Sequence, residues 1–288
     1  MEHRVFGREL TNLLEQDNHR YKRNYSMLHH DKIREHKAPV SHRNKSIIIP
    51  KTTQPQPELP NPQMVTEYFD ENIHYLVQQE KTHPAFGNYL TSHKTISESS
   101  RAKLIDWLAE LHYKYKMFPE TLFTMTTLVD RYLSAKTVPL SELQLIGASA
   151  LFIAAKFEET YQVPTMKQLL SACAGQYTAS QLTKTEADMV NTFGFDLIIN
   201  SAYKFYEPLA KVAGLESKNM HLGQYVLELA LFKPKFLEYS PSLLASSCIY
   251  LIKKIRKCDS AWNETMVKLV GYKESELKGC AKELCSLL

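Results

Sequence analysis

Glycine is scarce in this sequence and forms no pattern: nine glycines occur in 288 residues. The loops that cradle phosphates, G-x-x-x-x-G-K-[ST] and G-x-G-x-x-G, are absent. The catalytic patterns H-E-x-x-H, G-x-S-x-G, H-R-D and D-F-G are also absent. The sequence therefore predicts a protein that is not an enzyme and that needs neither a cofactor nor a metal ion.

Cysteine is also sparse, with five residues, no C-x-x-C and no regular spacing. Cys280 and Cys285 have no histidine after them at zinc-finger spacing, so we expect them to pack on a terminal helix. An odd cysteine count, together with a charged start that lacks an apolar signal core, is typical of reduced thiols inside the cell. No stretch reaches the roughly 18–20 apolar residues that span a bilayer. We expect a soluble protein of the nucleus and cytoplasm with no membrane partner.

The charge balance gives little support to a nucleic-acid partner. Residues 1–63 hold eleven Lys/Arg and seven Asp/Glu, which accounts for the whole net charge of +4, and residues 64–288 hold 24 of each. Proteins that read DNA carry a basic footprint on the folded domain. The sequence therefore predicts no direct contact with nucleic acid.

Residues 1–63 differ in composition from the rest of the chain. They contain six of the eleven histidines and six of the thirteen prolines. The run "PKTTQPQPELPNPQ" cannot continue a helix or a central strand, because proline lacks the amide donor. These features predict a disordered tail over 1–63 that ends in a proline-rich linker.

From residue 64 onward, nearly every segment has helical periodicity. In "RAKLIDWLAELHYKY" the apolar residues Leu104, Leu108, Leu111 and Tyr115 recur at the spacing of one buried helix face. Four further segments follow the same pattern: "PETLFTMTTLVDRYLSA" and "PLSELQLIGASALFIAAKF", each opened by a proline in the first turn, then "VPTMKQLLSACA" and "TASQLTKTEADMVNTFGF". The fold class that this predicts is all-α.

The helical set recurs at an offset of 98 residues. With that shift "LIGASALFIAAKF" falls on "LLASSCIYLIKKI", Leu133 falls on Leu231, and Trp107 falls on Phe205. The repeat predicts two tandem five-helix units, about 97–195 and 200–288, preceded by a helix around 64–80. As domains we predict 64–196, which includes the N-terminal helix, and 197–288.

The stretch "AAKFEE", residues 154–159, ends the most apolar helix of the first unit. A helix that is apolar on every face is surrounded by other helices, so Lys156 lies where this one leaves the core. Adjacent helical residues point about 100° apart, so Glu158 and Glu159 do not make a facing acid–base pair. From the residues alone, Lys156 is explained by the favourable interaction of a cation with a helix C-terminus.

Residues 100–164, from "SRAKLIDWL" to "KFEETYQVP", closely resemble the first box of A- and B-type cyclins, with B-type as the better match. That family carries M-R-A-I-L-x-D-W-L, E-T-L-x-L-x-x-x-x-x-D-R-[FY]-L-S, L-Q-L-[VI]-G and K-[FY]-E-E. The resemblance implies two tandem five-helix boxes over 64–288. It also implies a regulatory subunit that forms a heterodimer with a cyclin-dependent kinase and activates it at the G2/M transition.

The resemblance also assigns a kinase-binding set. The lysine of K-F-E-E and a glutamate of the fifth helix, here Lys156 and Glu186, are implied to hydrogen-bond the kinase backbone beside its αC helix. The implied apolar contacts around them are Phe157, Val190, Phe195 and Leu197, with Tyr75 on the N-terminal helix. In that helix Asn72 stands where the family has isoleucine.

A second implied site is a docking patch for R-x-L substrate peptides. The residues that match it are Leu104, Trp107, Glu110, Leu143 and Gln144. The family's methionine is Ser100 here and its isoleucine is Lys103, which removes apolar area and sets a cation against the docking arginine. The alternative is that Trp107 is mainly structural.

The tail segment "HRVFGRELTN" resembles a destruction box at Arg4, Gly7, Leu10 and Asn12, with altered spacing. It implies ubiquitin-ligase machinery as a partner. Two other functions stay open at this point. One is a cyclin-fold transcription factor, which would need basic residues on the boxes, and the other is an adaptor that binds a kinase without activating it.

Overall fold

The computed structural model describes residues 68–82, 89–258 and 260–288. The predicted tail, its proline-rich linker and the destruction-box residues Arg4, Gly7, Leu10 and Asn12 lie outside the described residues. Within the described ranges the secondary structure consists of α-helices and short 3₁₀ turns, with no strand. The all-α prediction is confirmed.

Eleven α-helices are found in the described part of the chain. They are α1 Phe69–Thr82, α2 Glu98–Lys114, α3 Pro119–Ala135, α4 Leu143–Glu158, α5 Met166–Ala172, α6 Ala179–Thr192, α7 Ala202–Val212, α8 Ser217–Leu231, α9 Pro241–Ile255, α10 Glu264–Val270 and α11 Glu274–Cys285. The 3₁₀ turns are Tyr89–Ser92, Leu140–Glu142 and Pro234–Glu238. We call α2–α6 the first unit and α7–α11 the second unit.

The helix starts follow from local sequence. Thr165 and Thr178 each form a capping box with the glutamine three residues later, which opens α5 and α6. Pro119 occupies the first position of α3, where a missing amide donor costs nothing. Pro139 does not open α4 as the sequence suggested. It precedes the turn Leu140–Glu142, and α4 begins at Leu143.

Helix α4 is the centre of the first unit. Every residue from Leu143 to Ala155 is buried, and a Cβ added at Gly147 would lie 2.6 Å from Leu104 Cδ1, so α2 approaches the helix closely here. With its leading turn, the segment Leu140–Glu158 is 19 residues long and its most apolar window has a mean hydropathy of 1.3, so by length and composition it could cross a membrane. This differs from the expectation that no segment reaches that length. Because 67% of its most apolar window is buried inside the protein, it has the character of a core helix.

The 98-residue repeat is visible in the helix boundaries. Helix α5 at 166–172 corresponds to α10 at 264–270, and α4 at 143–158 corresponds to α9 at 241–255. Each unit has its own apolar core, centred on α4 in the first unit and on α9 in the second. The two cores adjoin where Phe123 of α3 stacks on Tyr203 of α7, with ring centroids 5.5 Å apart.

Helix α1 packs against the second unit, although the sequence places it before the first. Ile73 is fully buried in the second core, and α1 lies on α9 and α10. The Glu80 carboxylate accepts a hydrogen bond from the Ser242 backbone N–H at 2.7 Å and another from its hydroxyl, in the first turn of α9. Desolvation by burial raises the pKa of Glu80, and the two bonds from Ser242 partly oppose that rise.

Candidate partner-binding surface

Lys156 lies in the last turn of α4 and reaches out of the core. Its ammonium pairs with the Glu186 carboxylate of α6 and lies 3.8 Å from the centroid of the Phe152 ring. The Lys156 side chain remains 45% exposed, so the pair is accessible from solvent. Lys156 and Glu186, which the family resemblance assigned to one kinase-binding set, therefore lie side by side although they are 30 positions apart in the chain.

The two glutamates after Phe157 bind other parts of the protein. Glu159 accepts hydrogen bonds from the Phe118 backbone N–H and the Thr121 hydroxyl, both at 2.6 Å, at the start of α3. Glu158 accepts from the Thr124 hydroxyl at 2.7 Å and lies 3.6 Å from the Lys204 ammonium of α7. Their carboxylates therefore fix the end of α4 to the N-terminal part of α3, and this fixes the direction in which Phe157 and Lys156 project.

Apolar side chains flank the Lys156–Glu186 pair in both segments that carry it. Phe157 is 49% exposed and Phe195 is 74% exposed. Val190 and Leu197 are half-buried and pack against the first core. Ile198 is a further exposed apolar residue beside them in the chain, which the sequence reading missed. The chain segments that carry and follow the charged pair thus present exposed apolar and aromatic side chains, residue types that are enriched at the centres of protein interfaces.

The segment after α6 is held in place by Arg131 of α3. Its guanidinium donates to the Asp196 carbonyl at 2.7 Å and lies 4.7 Å from the centroid of the Phe193 ring. Phe195 adopts a φ of +63°, in the left-handed region, directly after Gly194 at +60°. The chain therefore turns sharply at the end of α6 and presents Phe195 to solvent. The sequence reading did not single out Arg131.

Tyr75 has a different location from the rest of the predicted kinase-binding set. It is exposed on α1, which packs on the second unit, whereas the other six residues lie on the first unit or on the segment that follows α6. Leu76 of the same helix is half-buried against the second core. A partner that contacts both Tyr75 and Lys156 would therefore bridge the two units.

The predicted docking patch divides into buried and accessible parts. Leu104, Leu143 and Gln144 are buried, and Leu104 packs against α4 at Gly147. Trp107 is half-buried against the first core, and Glu110 is exposed. The accessible part of this patch therefore consists of part of Trp107 and the charged Glu110.

The two C-terminal cysteines differ in environment. Cys280 is buried in the second core, where desolvation raises the pKa of its thiol to about 11, and Cys285 is exposed. Among the residues that the structure describes, no group of three histidine, cysteine or acidic side chains could hold a metal ion.

Two tandem five-helix units, each built around its own apolar core, define an all-α protein of two repeated helical domains. The family model "Cyclin, N-terminal domain" matches residues 71–198, and "Cyclin, C-terminal domain" matches residues 201–288. The chain belongs to the cyclin family.

Its relatives include several B-type cyclins. The chain is 31% identical over 225 residues to the "G2/mitotic-specific cyclin-B" of Dictyostelium discoideum. The aligned residues are 78% of this chain and 51% of that protein. It is 35% identical over 217 residues to "Putative cyclin-B3-1" of Arabidopsis thaliana, covering 75% and 54%, and 33% identical over 223 residues to "Cyclin-B2-2" of Oryza sativa subsp. indica, covering 77% and 53%. The matched region thus spans about half the length of these relatives.

Solved structures share the fold at low sequence identity. A viral cyclin from herpesvirus saimiri matches with a TM-score of 0.65 and 17% identity, over 75% of this chain and 95% of that chain. A chain of the yeast RNA polymerase II CTD kinase CTDK-1 complex matches with a TM-score of 0.56 and 12% identity, over 74% and 70%. These similarities confirm the two-box cyclin fold.

Proposed function

We propose that this protein is a regulatory subunit that binds a cyclin-dependent kinase as a heterodimer and activates it at the G2/M transition. Family membership and the B-type relatives, one of which is named as G2/mitotic-specific, support the class of function. The observation that carries the proposal is the accessible Lys156–Glu186 pair, with the exposed Phe157 next to Lys156 in the chain and the exposed Phe195 just after α6.

The pair is better suited to binding than to stabilising the fold. An ion pair this exposed contributes only about 0–1 kcal/mol to stability, because water screens it and ordering the side chains costs entropy. A partner backbone, however, needs both a donor for its carbonyl oxygens and an acceptor for its N–H groups. Lys156 supplies the first and Glu186 the second, and Phe157 and Phe195 supply apolar area that a partner can cover.

The proposed mechanism is a shift in the kinase's conformational population. An active kinase needs its strand lysine paired with the αC glutamate and an ordered activation loop. A surface that binds the active position of αC more tightly than the inactive one favours the active state by that difference in affinity. The Glu158 and Glu159 contacts with α3 keep this surface fixed before the partner arrives, which reduces the cost of binding.

The test is phosphorylation of histone by a monomeric cyclin-dependent kinase that is already phosphorylated on its activation loop. The full chain is compared with Lys156→Ala/Glu186→Ala and with the control Lys211→Ala/Glu207→Ala, which removes another exposed ion pair on α7. We expect strong activation by the wild type and the control, and loss of activation in the first variant. Binding without activation would show an adaptor, and absence of binding to any such kinase would refute the proposal.

A further inference from the structure

The C-terminal end of α4 has a counterpart at the C-terminal end of α9, and the two residues that follow the apolar one carry opposite charge in the two helices. The 98-residue shift places Lys254 on Lys156 and Ile255 on Phe157. It also places "RK", residues 256–257, on "EE", residues 158–159. Helix α9 therefore ends with K-I-R-K where α4 ends with K-F-E-E.

The geometry around the lysine recurs as well. The Lys254 ammonium lies 3.9 Å from the Glu274 carboxylate of α11 and 5.4 Å from the centroid of the Tyr250 ring. Tyr250 is the counterpart of Phe152 by the same shift, and α11 is the fifth helix of its unit, as α6 is of the first. The acidic partner comes from a different turn of that fifth helix, because the shift places Leu284 at the position of Glu186.

The next residue is again an exposed apolar side chain. Ile255 is 44% exposed, close to the 49% of Phe157. An exposed isoleucine at a helix end is unremarkable by itself. Its position between cations, in register with the apolar centre of the other unit's surface, makes it a candidate anchor for a partner side chain.

The ends of α4 and α9 differ in the charged residues that follow Phe157 and Ile255. Glu158 and Glu159 turn back to bind α3, whereas the side chains of Arg256 and Lys257 are exposed and make no hydrogen bond or ion pair with any residue that the structure describes. Lys253 precedes them, and Lys278 shares Glu274 with Lys254, at 3.4 Å. In the described part of the chain, the end of α9 and the ion pairs of Glu274 thus contribute five cations and one carboxylate: Lys253, Lys254, Arg256, Lys257 and Lys278 with Glu274. We call these residues and Ile255 the α9 basic surface.

A helix C-terminus favours cations within its last turn, which accounts for Lys253 and Lys254. It does not account for Lys257, which lies beyond the helix with a φ of +55°, nor for the exposed isoleucine. These residues give the surface an affinity for negative charge and a place for an apolar contact. That combination fits a peptide better than a nucleic acid, because residues 64–288 hold equal numbers of cations and anions and offer no extended basic track.

We propose that the α9 basic surface is a second docking surface, which binds a carboxylate-rich segment of a partner protein with one apolar side chain placed on Ile255. The cations Arg256 and Lys257 contact the carboxylates, and Lys254 stays ordered by Glu274 and the Tyr250 ring. This proposal is independent of the kinase-binding function, because its residues lie on the other unit.

The test is fluorescence polarisation with the full chain and the labelled peptide DDELEDD as the probe. We expect saturable binding that weakens as salt is raised from about 50 mM to about 200 mM, because screening reduces the attraction. Arg256→Glu/Lys257→Glu is expected to weaken binding by about tenfold or more. Ile255→Ser, and the peptide DDESEDD with the wild type, are each expected to lose several-fold.

The matched control is Lys167→Glu/Lys218→Glu, which reverses two exposed cations elsewhere and is expected to bind like the wild type. If the charge-reversed variant proves unstable by circular dichroism, the neutral Arg256→Gln/Lys257→Gln replaces it with the same expected direction. Equal binding by that variant and the control would overturn the proposal. Tighter binding of a DNA duplex than of DDELEDD, lost in the same variant, would also overturn it and identify a nucleic-acid surface.

Discussion

Arg101 of α2 and Asp130 of α3 form a two-point ion pair inside the protein, with Nε–Oδ1 at 2.6 Å and Nη2–Oδ2 at 2.7 Å. Their side chains are 0% and 1% exposed. Tyr89 donates its hydroxyl to the same carboxylate, and Arg101 Nη1 donates to the Leu231 carbonyl of α8 at 2.7 Å. One buried carboxylate therefore orients the arginine that joins the first unit to the second.

Removing this carboxylate's charge is expected to destabilise the fold strongly. Asp130→Asn leaves the Arg101 charge buried without an anion, which typically costs about 3–5 kcal/mol. The measurement is urea unfolding followed by circular dichroism. The control is Lys136→Ala, which breaks the half-exposed pair with Asp188 and is expected to cost no more than about 1 kcal/mol. Similar losses in both variants would contradict the prediction.

A side chain at Gly147 is expected to destabilise the fold as long as Leu104 is present. An alanine Cβ there would lie 2.6 Å from Leu104 Cδ1, so Gly147→Ala should cost about 1–3 kcal/mol through overpacking. Combining it with Leu104→Ala should cost less than the sum of the two single changes, because the added methyl enters the vacated space. The measurement is a double-mutant cycle of unfolding free energies, and additive costs would show that the two residues are not coupled.

The control for that cycle is Gly279→Ala. Gly279 lies within α11 and a Cβ would meet nothing within 4 Å. This substitution is expected to stabilise the protein by about 0.5–1 kcal/mol, since alanine loses less backbone entropy than glycine on folding.

The Lys156–Glu186 pair offers a test that separates binding from stability. Exchanging the two residues, Lys156→Glu with Glu186→Lys, keeps an ion pair across α4 and α6, so stability should change by no more than about 1 kcal/mol. Kinase activation should still be lost, because the hydrogen-bond donor then lies where the partner backbone needs an acceptor, and the acceptor lies where it needs a donor. The assay is the histone phosphorylation described above, run beside thermal unfolding. Full activation by the exchanged variant would show that only the net charge matters.

Glu80 is expected to give stability a pH dependence of definite sign. Burial raises the pKa of its carboxyl above 4.5, so the folded protein holds that proton more readily than the unfolded chain. The contribution of protonated Glu80 to the unfolding free energy is fully present below the pKa that this carboxyl has in the unfolded chain. It is lost as the pH rises through the pKa that the carboxyl has in the folded protein. The unfolding free energy of the wild type relative to Glu80→Gln should therefore decrease as pH rises from 4.5 upward.

The measurement for Glu80 is urea unfolding at several pH values across that window. The control Glu238→Gln, at an exposed position, is expected to follow the wild type at every pH. A wild-type curve parallel to that of Glu80→Gln would contradict the prediction.

Local patterns predicted the helices and the main pair of the candidate site. Periodicity located α2–α6, and the 98-residue repeat located α7, α8 and α9 because its shift places segments of the first unit on segments of these three helices. Lys156 and Glu186 were paired through the family resemblance, since nothing local links residues 30 positions apart. The position of Arg101 in the sequence also indicates a buried ion pair, which the sequence analysis did not predict. This residue precedes Leu104 by three residues, on the same helix face as the buried stripe, where a charged residue needs a buried partner.

Long-range placement was beyond the sequence reading. The roles of Glu158 and Glu159 depend on the start of α3, which lies 34 to 41 positions earlier in the chain. The packing of α1 depends on α9 and α10, and the order of segments gave no indication of it. Such contacts are set by how whole helices meet, which neither helical period nor capping residues encode.

The attachment of α1 to the second unit has a consequence for synthesis on the ribosome. Glu80 and Ser242 are 162 residues apart, so α1 emerges long before the helix that it packs against. At about 5–20 residues per second, roughly 8–30 s pass between the two. During that interval the apolar face around Ile73 has no native partner. Helices α9 and α10, which are translated late, therefore complete the packing of α1, and a nascent chain that stalls within the second unit exposes α1 to chaperones.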